Sequence, residues 1–128
     1  MAYDLRIIKT SDFIRFDGKG AVEVEKSHNL LWQLAKTCVD RSIECVLLDL
    51  RQVRGSLPLA EVYRLAMAFT EMGFTKKQRL AVLHRLEGLQ RAELFAMLAT
   101  SKGWNVRAFD DYEEAIEWFS DNETVPAN

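Results

Sequence analysis

Cysteine is scarce in this chain. Cys38 and Cys45 are the only two; each sits in an apolar stretch, and no CxxC spacing exists. The pattern argues against a disulfide framework and reads as two buried thiols acting as small hydrophobes. Histidine is equally rare. His28 and His84 have no spaced carboxylate or thiol partners, so no metal site is expected. Only Pro58 and Pro126 are prolines, and no linker or internal repeat divides the chain. No apolar run approaches the roughly 18 residues of a membrane span. No charge of one sign dominates: 17 Lys and Arg face 19 Asp and Glu, interspersed, for a net charge of -2. That leaves no basic footprint for nucleic acid and no acidic tail. The opening Met1 to Arg6 lacks the apolar core of a secretory signal, so the expected compartment is cytoplasmic. No Gly-rich phosphate loop occurs, and no cofactor is expected.

What is present is an ordinary globular composition, 48% hydrophobic over 128 residues. That is long enough to bury a core as one domain. Residues 1–120 read as that domain and residues 121–128 as a polar tail that frays. The chain is organised around Glu44 to Leu50, a strand apolar on both faces, and the loop Arg51 to Pro58 that leads to a helix start.

Before it, Leu5 to Lys9 reads as a strand, Thr10 to Asp12 as a turn and Phe13 to Phe16 as a second strand. Asp17-Gly18 reads as a hairpin turn and Lys19 to Glu25 as a third strand. Ser27 is the expected N-cap of a helix with Leu31, Leu34, Ala35, Cys38 and Val39 on one face. After the organising stretch, a helix runs from about Pro58 to Met72, with Gly73 ending it. Arg79 to His84 is a strand, and Gly88 turns into a helix ending near Lys102. Trp104 to Phe109 reads as an edge strand, and Asp111 with Glu114 as a capping box for the last helix. The fold class is α/β, a mixed sheet of about five or six strands with about four helices.

In such sheets ligands sit beyond the carboxyl ends of the strands. That edge would collect Asp49, Arg51, Arg54 and Ser56 from one loop, His84 and Arg85 from the next, and Asp110 and Asp111 from the last. The amides of Ser56 and Leu57, helped by Arg54, would suit an anion; the plain reading of Ser56 is a helix cap. A serine and a histidine on one edge invite a hydrolase reading, but no G-x-S-x-G elbow surrounds Ser56. No catalytic residue is assigned. Two second apolar stripes, Leu59, Tyr63 and Met67, and Leu94, Met97 and Leu98, exceed one core-facing face. The helices could cover them mutually, they could form a homodimer face, or they could flank a pocket for an apolar ligand.

The strand ending in Asp49-Leu50-Arg51 with its Gly55-Ser56-Leu57-Pro58 helix start, the strand Leu80 to Leu83, and the closing block Val106 to Phe119 together resemble the SpoIIAA-like family. That family is related to the STAS domains of anti-sigma-factor antagonists. The resemblance implies a non-catalytic regulatory or protein-interaction domain of bacterial type. In the antagonists, an Asp-Ser pair at the helix start carries a phosphorylatable serine. Ser56 matches that serine, and Gly55 stands where the aspartate would be. The resemblance extends to CRAL-TRIO lipid-binding domains, which implies as the alternative a carrier of a small apolar ligand or lipid.

Overall fold

The apolar run Val46-Leu47-Leu48 lies at the centre of a five-stranded sheet. The computed structural model describes residues 6–9, 13–21, 23–41, 43–73 and 78–120. Within these, the chain forms β1 (Arg6–Lys9), β2 (Ile14–Ala21), α1 (Val24–Arg41), β3 (Cys45–Arg54) and α2 (Leu59–Phe69). It continues as β4 (Arg79–Leu83), a 3-10 turn (Leu86–Gly88), α3 (Leu89–Ser101), β5 (Asn105–Phe109) and α4 (Tyr112–Phe119). The strand order is β1-β2-β3-β4-β5. β1 pairs antiparallel with β2, and the other pairings are parallel. Five strands and four helices fall within the expected mixed α/β class, with β3 central and β5 at an edge.

Helices cover both faces, which is why β3 is apolar on both. On one face Val46 and Leu48 join Leu30, Leu34, Val62 and Phe95 from α1, α2 and α3. Phe69 of α2 meets Phe95 of α3 edge-on at 5.4 Å between ring centroids, a favoured aromatic geometry. On the other face Leu47, Ala81, Leu83 and Phe109 pack under Ala115 and Trp118 of α4. Each fully buried side chain of this size contributes roughly 1.5–3 kcal/mol. Arg79 Nη1 donates to the carbonyl oxygen of Trp118 at 2.6 Å, satisfying a carbonyl that the end of α4 leaves without an intrahelical donor. Asp111 caps α4, its Oδ1 accepting from the Glu113 amide at 2.8 Å.

Several local expectations are corrected. Asp17-Gly18 is not a hairpin turn, and Lys19 to Glu25 is not a third strand. β2 runs straight through Asp17 to Ala21 because that stretch pairs with β3, and ladder bonds to a central strand outweigh a local turn preference. Val24 and Glu25 instead open α1; a glutamate in a first turn meets the positive end of the helix dipole. Ser27 therefore lies inside α1, buried, its amide donating to the Glu23 carbonyl at 2.9 Å, and is not the N-cap. α2 ends at Phe69 rather than Met72, with a turn carrying the chain to Gly73, whose φ is 103°. Val39 is exposed rather than on the buried stripe. The expected turn at Thr10 to Asp12, Val22 and the tail 121–128 lie outside the described residues.

Candidate functional site

The residues expected on one edge divide between the two faces of the sheet. Strand alternation sets Asp49 and Arg51 opposite Leu48 and Leu50, and a bulge then brings Val53 round to the side of Leu48 and Leu50. β2 and β3 pair at Asp17 with Asp49 and again at Lys19 with Gln52, so Leu50 and Arg51 stand opposite the single Gly18. The extra residue breaks the two-residue alternation of side chains. Leu48, Leu50 and Val53 all line a cavity on the α1–α3 face, while Asp49 and Arg51 join an ionic network on the other side.

In that network Asp49 is buried and takes three bonds from Arg51: from the backbone amide at 3.0 Å, Nε at 3.0 Å and Nη2 at 2.7 Å. Arg15 Nη2 donates to the same carboxylate at 2.8 Å, and Arg15 Nε donates to Asp17 at 2.8 Å. The Arg15 guanidinium lies over the Tyr112 ring, 5.6 Å from its centroid. Burial alone would raise the Asp49 carboxyl, but the Arg51 bonds and the nearby Arg15 charge hold it below the usual carboxylate value. Two carboxylates balance two guanidiniums here, so the cluster is a self-neutralising strut rather than an open anion site.

The second grouping surrounds a cavity of about 100 Å³, partly open to solvent, at the carboxyl ends of β3 and β4. Its wall takes Leu30 and Leu31 from α1, Leu48 and Val82 from the sheet, Val62 from α2 and Phe95 from α3. Ser56 and His84 both line it. His84 Nδ1 is buried without a hydrogen-bond partner. Burial, then the charge of Arg85, push the imidazole below its ordinary value, favouring the neutral ring. The ring lies against Gly88, where any Cβ would overlap it.

The β3–α2 loop closes one side of this cavity. Arg85 Nη2 donates to the Val53 carbonyl at 2.9 Å, and Arg91 Nε to the Leu57 carbonyl at 2.6 Å. Two arginines from the segment after β4 thus pin the loop that carries Ser56. Sequence reading missed this clamp, because Arg91 sits in a helix whose spacing signals only packing. Ser56 is not the helix cap: the N-cap of α2 is Pro58, without a side-chain bond. The amides of Ser56 and Leu57 precede the helix and do not form its anion-binding first turn. Gly55 has a φ of 87°, a left-handed conformation that suits glycine and strains a side-chain-bearing residue such as aspartate. Arg54 is exposed at the end of β3 and does not line the cavity; Asp110 and Asp111 are exposed at the start of α4.

The two apolar stripes are only partly covered. Met67, Leu94 and Leu98 pack against the core, whereas Leu59, Tyr63 and Met97 remain 58%, 53% and 61% exposed. Among the described residues no group of three or more His, Cys, Asp or Glu side chains could hold a metal ion, and no helix is long and apolar enough to cross a membrane.

No family model matches the sequence, and no curated protein matches it significantly. Solved structures do. An anti-sigma factor antagonist from Mycobacterium paratuberculosis superimposes with a TM-score of 0.63 at 14% identity, over 94% of this chain and 96% of that one. An uncharacterised protein with a SpoIIAA-like fold from Shewanella loihica superimposes with a TM-score of 0.54 at 18% identity, over 92% of this chain and 94% of that one. The fold is SpoIIAA-like, as the sequence resemblance implied.

Proposed function

We propose that the protein is a non-catalytic regulatory domain that works by binding another protein, with the β3–α2 loop and the outer side of α2 as its working surface. One observation carries this reading. The loop from Val53 to Leu57 is held by Arg85 and Arg91, yet its Ser56 is exposed, as are Leu59 and Tyr63 beyond it. A rigid backbone presenting an aromatic and an aliphatic side chain one helical turn apart is the arrangement that protein partners use as anchors. The likeness to an anti-sigma factor antagonist supports the same reading, and the sequence resemblance implies that Ser56 matches the regulatory serine of that class. The hydrolase alternative has little to build on: His84 Nδ1 has no hydrogen-bond partner and so accepts no proton from Ser56. The exposed stripe also suits a second copy of the chain, so a homodimer belongs to this proposal.

The test is affinity capture with the tagged protein, followed by calorimetry with the purified partner. Leu59→Glu and Tyr63→Glu are expected to weaken binding at least tenfold, while Arg107→Glu on exposed β5 leaves it unchanged. Ser56→Asp is expected to differ from Ser56→Ala. Equal affinity across all of these variants would overturn the assignment.

A further inference from the structure

We infer that the cavity beneath the β3–α2 loop is a socket for one apolar side chain, of the leucine or phenylalanine class, presented by the protein partner. The inference rests on the reading of this face as the working surface and names what that surface receives.

The position of the mouth ties the cavity to that surface. Of the residues that line the cavity, only Gly55 and Ser56 are exposed. The opening therefore lies in the loop itself, between the Val53 and Leu57 carbonyls that Arg85 and Arg91 hold. Gly55 brings no side chain to close it. Leu59, just beyond, is 58% exposed and does not enter the wall. Val62 and Leu65 line the cavity from α2, the helix that carries Leu59 and Tyr63 on its outer side. Socket and exposed side chains thus form one continuous face.

The wall decides what fits. Leu30, Leu48, Val62, Val82 and Phe95 supply most of it. Its polar members offer little to a guest. Ser27 is buried and already engaged within the fold. Arg91 commits Nε to the Leu57 carbonyl. His84 has its ring against the Gly88 backbone and its Nδ1 enclosed. Ser56 stands at the mouth, in contact with solvent. A charged or amide side chain would lose its water here without a replacement partner, and a lysine or arginine would also meet the Arg91 guanidinium. An apolar side chain has no such loss and leaves water favourably. The size agrees: about 100 Å³ compares with the roughly 150 Å³ apolar cavity that admits benzene in another protein. A desolvated pocket beside exposed apolar anchors is the pairing that concentrates binding energy at protein interfaces.

The probes are the N-acetyl amides of leucine, phenylalanine, glycine and lysine, titrated into the intact, isotope-labelled protein and followed by amide chemical shifts. The leucine or the phenylalanine probe is expected to shift the amides of Gly55, Leu57 and Val62. It should bind at least about tenfold more tightly than the glycine and lysine probes, the factor that burial of one such side chain supplies. Ala92 lies in the wall on α3, buried, so Ala92→Leu fills the cavity and leaves the outer surface unchanged. It is expected to abolish the leucine shifts and to weaken the captured partner at least tenfold in calorimetry. An equal response to all four probes, saturation by benzene at micromolar concentration (which would assign the cavity to a free small molecule), or full partner affinity in Ala92→Leu would each overturn the socket. The working surface fails separately: Leu59→Glu weakening the partner while Ala92→Leu does not would keep the surface and remove the socket. The probe titration on the unmodified protein needs neither the variant nor the partner and decides the matter even if Ala92→Leu fails to fold.

Discussion

Arg51 grips Asp49 from two residues away in β3, through its backbone amide, Nε and Nη2 at once. The bulge at Leu50 and Arg51 lies within this grip, and Arg15 braces the same carboxylate from the neighbouring strand. Asp49→Ala would leave two guanidiniums without their shared partner and is expected to cost about 2–3 kcal/mol at neutral pH. Because the folded carboxyl sits below its ordinary value, this stabilisation is full above the unfolded value near ~4 and is lost as pH falls through the folded one. Urea unfolding at neutral and strongly acid pH checks both statements. Asp49→Asn should flatten the acid limb, and an unchanged limb would remove Asp49 from it.

Gly88 is expected to tolerate no side chain while His84 is present, since a Cβ there would overlap the imidazole. Gly88→Ala should destabilise by about 1–3 kcal/mol. In a His84→Ala background the same change should cost little. Thermal unfolding of the four proteins gives the coupling directly, and additivity would show that the two residues do not share the space.

Burial, then the charge of Arg85, lowers the His84 value, so the folded protein resists protonation there more than the unfolded chain does. The contribution is fully present above the unfolded histidine value of about 6.5 and is lost as pH falls through the folded value. Denaturant unfolding at a series of pH values from neutral down to mildly acid should show stability declining, and the decline should shrink in His84→Leu. An identical slope in the variant would assign it elsewhere.

Cys38 is fully buried in α1, and burial pushes its thiol up to about 12. Since the thiolate is the reactive form, Cys38 should escape a thiol reagent at mildly alkaline pH until the protein is unfolded. Cys45 is half-buried at the start of β3 and should react first. Peptide mapping after timed labelling separates the two, and equal labelling of the native protein would contradict the packing of α1.

Leu59 and Tyr63 should carry any self-association through α2. The unmodified protein is expected to scatter light as a dimer and the Leu59→Glu, Tyr63→Glu double variant as a monomer. A monomer mass for the unmodified protein at micromolar concentration would confine this surface to other partners.

Much of the fold was legible because strand and helix periods are local. The run Val46 to Leu48 announced a central strand by being apolar on both faces, and it is central. Asp111 announced its cap and makes it. Errors arose where a local signal competed with a distant one. Asp17-Gly18 has turn chemistry, but its neighbours pair with β3 more than thirty residues ahead. Leu94 and Leu98 looked like surplus apolar surface, yet they pack against the core.

The candidate site was less legible. Ser56 and His84 share a cavity as their shared edge suggested, but Asp49 and Arg51 went to the opposite face. The sequence alone determined the fold class, the central strand and the glycine-led loop before α2, because hydrophobic periodicity and backbone freedom act over a few residues. Tertiary structure alone decided which side chains meet. A one-residue bulge in β3 turned Val53 to the same side as Leu48 and Leu50, and clamps from Arg85 and Arg91 reached carbonyls 32 and 34 residues away. Contacts of that separation depend on the geometry of the assembled sheet, which no local spacing encodes.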